Sequence, residues 1–299
     1  MSWWCSSSRA RWVWSYHPYV GAWLIVGAVV AIALWWHRSG RLDDPMALGH
    51  GPDGQPFHPV PGSDTGRKIA LVVGIVGLWA CTDWPLAALG AGYLATAQMV
   101  RQMTMVMIVA PSLLFACPPG LAIRLVGWRR RFTVLRITAR PFIAVAFAAG
   151  SLVLVNTPIV VDTLVKTPYA MFFMDGMWVA AGFILWMPVQ CPHPGVKRLV
   201  GAEAMTYLIA QSIVPVLPGF FMTWADFPIY RTYELAPRVF AGFDAVTDQG
   251  AAAAVLQVGG MLLLWIQIAY RFLHWSYAEV TKDQSDVRKR MTGLQPGTP

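Results

Sequence analysis

Seven apolar stretches, each about 20 residues long, recur along this 299-residue chain and are separated by more polar connections. An α-helix that rises 1.5 Å per residue needs roughly 20 residues to cross about 30 Å of hydrocarbon. Strands of a membrane β-barrel are about half that length and alternate apolar with polar residues, which these stretches do not. The pattern predicts an all-α, polytopic integral membrane protein, a seven-transmembrane-helix bundle. Its predicted spans are Tyr19–Trp36, Ile69–Leu89, Leu94–Phe115, Pro141–Val161, Ala170–Gln190, Met205–Trp224 and Ala251–Tyr270.

Lys and Arg residues are concentrated in alternate connections. Seventeen lie in residues 37–68, 116–140, 191–204 and the tail from 271, against five in the other connections: Arg9, Arg11, Lys166, Arg231 and Arg238. Because cytoplasmic connections are enriched in basic residues, this bias predicts an outside N-terminus and a cytoplasmic C-terminus in a bacterial inner membrane. The net charge of +8 is largely this excess, which faces anionic lipid headgroups, so no nucleic-acid partner is expected.

No separate soluble domain is evident in the polar connections between the predicted spans. We expect residues 1–275 to form a single seven-helix transmembrane domain and residues 276–299 to form a polar cytoplasmic tail. Residues 37–68 are rich in Gly and Pro and predict an irregular cytoplasmic loop. Residues 124–136 are basic with interspersed apolar side chains, which predicts a short helix lying on the inner surface.

The four cysteines divide between the two predicted sides of the membrane, with Cys5 and Cys81 outside and Cys117 and Cys191 inside. At most one disulfide, Cys5 to Cys81, is compatible with this division. Cys191-Pro192-His193 has no third ligand nearby in the sequence, so we interpret it as a turn and not as a metal pair.

The most informative polar residues lie inside or beside the spans, where a lone charge is costly and needs a partner or a function. Gln98, Arg101 and Gln102 share one face of the third span, and Asp175 lies at a similar depth in the fifth. We expect Arg101 and Asp175 to form an ion pair to which both Gln amides donate hydrogen bonds. The topology predicts a polar cluster near the outer leaflet, comprising His17, Asp83, Gln98, Arg101, Gln102, Asn156, Asp175, Asp248 and Gln249. Two interpretations of this cluster remain open: a purely structural network, or a site for a ligand, metal or partner.

Several short motifs occur in a characteristic order: Tyr16-His17-Pro18-Tyr19, Thr96-Ala97-Gln98-Met99-Val100-Arg101-Gln102, Gly182-Phe183-Ile184-Leu185-Trp186-Met187-Pro188 and Asp248-Gln249. In their order and spacing the chain resembles the CtaG-type cytochrome c oxidase assembly proteins over about residues 12–275. The resemblance implies a polytopic bacterial inner-membrane protein that helps to build haem-copper oxidases, with a suspected role in copper supply.

The chain departs from that family pattern at its histidines. The family's third-span His-x-x-Gln-His corresponds to Gln98, Arg101 and Gln102, its Trp-His-x-Pro to Val155-Asn156-Thr157-Pro158, and its Glu-His to Asp175-Gly176. His17 is the family histidine that remains. Since a Gln amide is a poor copper ligand and an arginine repels the cation, we expect no copper and no other cofactor. Thioethers also bind Cu(I), so a methionine site at Met99, Met103 and Met174 is the alternative.

Two functions stay open from the sequence. The first is assembly or stabilisation of a haem-copper oxidase, without copper bound to this chain. The alternative is a non-catalytic structural accessory subunit of a respiratory or photosynthetic membrane complex. The expected partners are membrane lipids and the subunits of a haem-copper oxidase or of another membrane electron-transfer complex. A transporter is less favoured because no two matching halves with interrupted helices occur. An enzyme is not expected, since no nucleophile–base pair, phosphate loop or acidic metal cluster is evident.

Overall fold

A computed structural model describes residues 2–39, 56–128 and 130–293 of the chain. The described residues are helical or irregular, and no strand occurs among them. The α-helices are α1 (Val20–Ser39), α2 (Asp64–Thr82), α3 (Leu86–Gly92), α4 (Ala95–Thr104), α5 (Ala110–Ala116), α6 (Pro119–Val126), α7 (Arg130–Thr138), α8 (Pro141–Val155), α9 (Pro158–Leu164), α10 (Pro168–Gln190), α11 (Gly201–Ser212), α12 (Val216–Trp224), α13 (Arg231–Glu234), α14 (Ala245–Ala254) and α15 (Gly260–Gly293).

Six helical segments in the described part of the chain are long and apolar enough to cross a membrane. They are Val20–Arg38, Asp64–Thr82, Ala95–Ala116, Pro168–Gln190, Gly201–Trp224 and Ala245–Thr281. Large apolar side chains on several of the helices point away from the bundle, and Phe142 is 90% exposed. An exposed apolar surface of this extent is typical of contact with lipid. The chain is a multi-pass membrane protein.

The second predicted span, Ile69–Leu89, is displaced and broken in the structure. Helix α2 begins earlier, at Asp64, because the Ser63 hydroxyl caps it by accepting a hydrogen bond from the Gly66 N–H at 3.0 Å. The helix ends at Thr82, and α3 starts only after Pro85, whose ring and missing N–H interrupt helical hydrogen bonding. Leu89 therefore lies in α3 and not in the second span.

The fourth predicted span, Pro141–Val161, also differs. Helix α8 ends at Val155, Asn156 and Thr157 break the helix, and Pro158 opens the separate helix α9. At 15 residues α8 does not pass as a full span by itself, and the preceding helix α7 meets it at 78°. Counting α7 and α8 as one bent span gives an upper limit of seven.

The single basic helix predicted over residues 124–136 is wrong. Helix α6 ends at Val126, Gly127 has a φ of 64°, and α7 begins at Arg130. A positive φ is accessible to glycine at little cost and commonly terminates a helix. The segment consequently forms the end of one helix and the start of another.

Two membrane helices contain a π-helical turn. Met105–Val109 separates α4 from α5, and Val255–Gly259 separates α14 from α15. The first turn packs closely on α10: the indole N–H of Trp186 donates to the Val106 carbonyl at 2.9 Å. A Cβ at Gly182 would lie 3.0 Å from Val106 Cα, so a glycine is needed where these helices meet.

Hydrogen bonds gather the connections at two opposite ends of the bundle. At one end they join Arg67 to Cys117 (2.9 Å), His58 to Pro194 (2.9 Å) and Arg198 to Pro59. At the other end they join Ser7 to Val165 (2.7 Å), Tyr93 to Ala10 (2.9 Å) and Tyr16 to Asp83 (3.0 Å). The first end carries the connections that the sequence predicts to be cytoplasmic. Residues 40–55 of the predicted loop lie outside the described residues, and α15 extends into the predicted tail as far as Gly293.

Candidate functional site

Arg101 lies at the centre of the bundle with none of its surface exposed. Arg101 belongs to helix α4. The first turn of α4 is fixed by Asp248, which lies at the start of α14. The Asp248 carboxylate accepts hydrogen bonds from the N–H groups of Ala95 (2.6 Å) and Thr96 (3.0 Å). These are donors that a helix N-terminus leaves unpaired, so Asp248 acts as a cap supplied by another helix.

Each of the three guanidinium nitrogens of Arg101 has a hydrogen-bond acceptor. Nε donates to the Cys81 carbonyl at 2.7 Å, Nη1 to Gln98 Oε1 at 2.9 Å and Nη2 to Asp175 Oδ2 at 2.7 Å. The guanidinium carbon also lies 5.7 Å from the ring centre of Trp178, which allows a cation–π contact. The predicted ion pair between Arg101 and Asp175 is confirmed, and it joins α4 to α10.

The partner of Asp175 that the sequence did not predict is Trp4. Its indole N–H donates to Asp175 Oδ2 at 2.9 Å, and the side chain is only 1% exposed. The segment before α1 folds back into the bundle, where the Trp4 ring packs edge-on against Phe172 at 5.2 Å between centroids. A buried carboxylate thus ties the N-terminal segment to two membrane helices.

The predicted amide donation from Gln98 and Gln102 to Asp175 is wrong. Gln98 presents its oxygen to Arg101, because the guanidinium already donates to the carboxylate and needs further acceptors. Its Nε2 instead lies 3.8 Å from Met174 Sδ. Gln102 Oε1 has no hydrogen-bond partner among the described residues, although it is buried.

Gln102 borders a small cavity of about 30 Å³ with Trp178 and Gln211 on facing helices. Trp178 Nε1 and Gln211 Oε1, like Gln102 Oε1, have no hydrogen-bond partner in the described protein. The volume suffices for a water molecule, and one donor with two acceptors matches the hydrogen bonds that a single water makes.

Gly90 allows helix α3 to pack closely against the side chains of Arg101 and Gln98. A Cβ at this position would lie 2.9 Å from both Arg101 Cδ and Gln98 Oε1, closer than ordinary van der Waals contact. The Gly90 carbonyl accepts a hydrogen bond from the Tyr233 hydroxyl at 2.7 Å. Helix α3 therefore has to approach α4 through a residue without a side chain.

Asp83 belongs to a separate group of hydrogen bonds. Its carboxylate is fully buried and accepts from the indoles of Trp23 (3.0 Å) and Trp79 (3.1 Å), the hydroxyl of Tyr16 (3.0 Å) and the backbone N–H of Tyr19 (3.0 Å). The group joins the start of α1 to the end of α2. It holds neighbouring helices together, and no hydrogen bond joins it to Arg101 among the described residues.

The remaining residues of the predicted cluster have local partners. Gln249 bridges the connection before α13 by accepting from the Ile229 N–H (2.7 Å) and donating to the Met222 carbonyl (3.0 Å). Asn156 donates to the Leu152 carbonyl of its own helix at 2.8 Å, and His17 is exposed beside Ser15. The predicted cluster thus divides into separate groups, of which the one around Arg101 and Asp175 contains the buried ion pair.

A family model described as the cytochrome c oxidase caa3 assembly factor (Caa3_CtaG) matches residues 58–278. The match covers most of the chain and includes Arg101, Asp175 and Asp248. The chain belongs to this family. The resemblance drawn from the short motifs is confirmed. No curated protein and no solved structure matches the chain.

Metal ligands of the usual kinds do not converge in the described part of this Caa3_CtaG member. No three His, Cys, Asp or Glu side chains there lie close enough to hold a metal ion together. Cys5 and Cys81 are buried free thiols on either side of Arg101, with Cys5 Sγ 3.8 Å from Nη2. Of the candidate thioethers, Met103 borders the cavity beside Gln102, whereas Met174 contacts Gln98. Met99 is buried in the core, and the absence of copper stays a prediction.

The Cys191-Pro192-His193 segment forms part of a buried turn. The Val196 N–H donates to the His193 carbonyl at 3.1 Å, and the His193 ring packs against Trp128 and Phe132 at 4.8 and 4.9 Å between centroids. Burial lowers the pKa of His193 to about 4, so the imidazole is neutral at pH 7. The interpretation as a turn is confirmed. The histidine packs α7 against the connection that follows α10.

Proposed function

We propose that this protein acts in the assembly or stabilisation of a haem-copper oxidase in the bacterial inner membrane, without copper or catalysis of its own. The observation that carries the proposal is the match to the caa3 assembly factor family over residues 58–278. The helical, multi-pass architecture is compatible with a partner that is itself a membrane complex.

The absence of copper is supported by the chemistry at the centre of the site. A guanidinium occupies the interior of the bundle, and its positive charge opposes the entry of a metal cation. Oδ2 of the Asp175 carboxylate is already bound to Arg101 and Trp4, whereas Oδ1 has no hydrogen-bond partner among the described residues. Gln98 and Gln102, which stand where the resemblance places imidazoles, offer amide groups that are poor copper ligands. On this proposal the ion pair joins the helices that a metal would otherwise join.

The proposed topology has seven spans, with the N-terminus outside. The segments on either side of α8 support a crossing by this helix. Before it, Phe132 in α7 contacts His193 at the end of the bundle that carries the predicted cytoplasmic connections. After it, the Val165 carbonyl accepts a hydrogen bond from the Ser7 N–H at the opposite end. The 17-to-5 division of basic residues supports the orientation.

Thiol labelling of spheroplasts tests this crossing with Arg136→Cys and Thr163→Cys, both at exposed positions. An impermeant maleimide should label Thr163→Cys directly and Arg136→Cys only after the membrane is permeabilised. The wild-type chain, whose Cys5, Cys81 and Cys191 are buried and whose Cys117 is half-buried, is the control that measures background labelling before and after permeabilisation. Labelling of both variants from the same side would show that α8 does not cross.

Deletion of the gene tests the function itself. We expect the level of assembled haem-copper oxidase, measured by haem spectra and enzyme-bound copper, to fall and to return on complementation with the wild-type chain. An unchanged oxidase in the deletion strain would contradict the proposal. Purification of the oxidase in mild detergent separates the two functional readings: a permanent accessory subunit remains in stoichiometric amounts, and an assembly factor does not.

A further inference from the structure

A second and larger pocket lies at the end of the bundle that carries the N-terminal segment. Its volume is about 480 Å³, within the range of small-molecule sites. Four separate parts of the chain form it: the segment before α1, the end of α3, α9 with the connection after it, and α13 with the residues that follow. The residues that line this pocket are different from those that bind Arg101.

Three basic side chains line the pocket: Arg9, Lys166 and Arg231. They are distant in sequence, and all three are exposed. None of them has an acidic side chain within salt-bridge distance among the described residues. The sequence has only five basic residues in the predicted outer connections, so most of the few cations on this side converge on one concavity.

In the described structure, the acidic residue of the pocket, Asp162, forms no ion pair with these three cations. Its two carboxylate oxygens accept hydrogen bonds from the backbone N–H groups of Arg231 (3.2 Å) and Thr232 (2.9 Å). The carboxylate thereby fixes α13 beside the pocket and leaves the Arg231 guanidinium free of an ion pair. With three cations and one anion, the pocket keeps a net charge of about +2.

We propose that this pocket binds a phosphate group, either of a phospholipid headgroup in the outer leaflet or of a small soluble phosphate. Three cations around one pocket suit a compact oxyanion with several acceptor oxygens better than an extended acidic chain. The two arginines supply guanidinium groups that bind phosphate through paired N–H donors, and Lys166 adds a compact positive charge. Ser7 and Thr232 add hydroxyl groups to the lining.

Calorimetric titration of the full chain in a non-ionic detergent tests the proposal. The probes are inorganic phosphate, glycerol 3-phosphate and a short-chain phosphatidylglycerol. We expect saturable binding of at least one probe, weakened at least about tenfold in the variant Arg9→Gln/Lys166→Gln/Arg231→Gln. A matched control, Arg11→Gln/Lys68→Gln/Lys197→Gln, removes three exposed cations outside the pocket and should keep the affinity within about twofold.

The probes also distinguish the two sources of phosphate. Preferential binding of phosphatidylglycerol identifies a lipid headgroup, and preferential binding of a soluble phosphate identifies a small ligand. If the triple variant does not fold, the single variants Arg9→Gln and Lys166→Gln carry the same comparison against Arg11→Gln. No saturable binding of any probe, an equal loss in the control, or binding only of an acidic peptide added as a fourth titrant would overturn the proposal.

Discussion

Arg101 is a full charge in a bundle where an unpaired charge is strongly unfavourable. The Asp175 carboxylate, together with the carbonyl and amide oxygens that accept hydrogen bonds from the Arg101 guanidinium, offsets the free-energy cost of burying this charge. Removing one member leaves the other charged and without its main partner, so Arg101→Met or Asp175→Leu alone should each cost about 3–5 kcal/mol. The double variant should cost less than the sum of the single variants.

A double-mutant cycle on unfolding in detergent measures this coupling. The expected coupling energy is about 2 kcal/mol or more in favour of the pair. Additive effects would mean that the two charges are stabilised independently, in spite of the 2.7 Å contact.

The Trp4 indole gives a second prediction at this scale. Replacing Trp4 by Phe keeps an aromatic ring and removes the N–H that donates to Asp175. Because a hydrogen bond to a charged group contributes about 1.5–3 kcal/mol, the free energy of unfolding should fall by about that amount. Trp3→Phe is the matched control: Trp3 is 36% exposed, and the change should be small. Equal losses in the two variants, measured by chemical unfolding, would argue against the hydrogen bond.

The sequence predicted the Arg101–Asp175 pair because two lone charges at one depth in hydrocarbon have few other solutions. It did not predict Trp4, since the segment before α1 has no periodic pattern that places it inside the bundle. The roles of Gln98 and Gln102 were also missed. An amide has both donors and acceptors, and its orientation depends on which neighbour needs which group.

At the scale of elements, the contact between α10 and the first π-helical turn depends on a small residue. A Cβ at Gly182 would lie 2.6 Å from Ala110 Cβ, whereas at Gly176 of the same helix no atom lies within 4 Å. Gly182→Ala should therefore destabilise the protein by about 1–3 kcal/mol through overpacking. Gly176→Ala should be neutral or stabilising by up to about 1 kcal/mol, because alanine favours the helix. Chemical unfolding of both variants checks this, and the reverse order would contradict the packing.

Long apolar runs were sufficient to predict six membrane helices, since burial in lipid depends on length and hydrophobicity alone. Their interruptions were harder to predict. The breaks at Pro85 and at Asn156 follow local backbone chemistry, at short polar interruptions of otherwise apolar runs. The break at Gly127 depends on a positive φ, which a glycine permits but does not require.

At the scale of the whole molecule, buried polar groups join elements that are far apart in sequence. Asp175 joins the N-terminal segment to α4 and α10, Asp83 joins α1 to α2, and Asp248 joins α14 to α4. Each carboxylate has its own donors, so the molecule is held at several independent points. We propose that a bundle stabilised in this way has no structural need for a metal, and this proposal is the central claim about this member of the caa3 assembly factor family.

Copper content tests that claim most directly. The full-length chain is purified, exposed to Cu(I), desalted and analysed for metal, with Met99→Leu/Met103→Leu and a control, Met205→Leu/Met261→Leu, treated in the same way. We expect far less than one copper per chain in all three samples, because amide and guanidinium groups stand where imidazoles would be needed. About one copper per chain, lost in the first variant and kept in the control, would contradict the account and identify a thioether site.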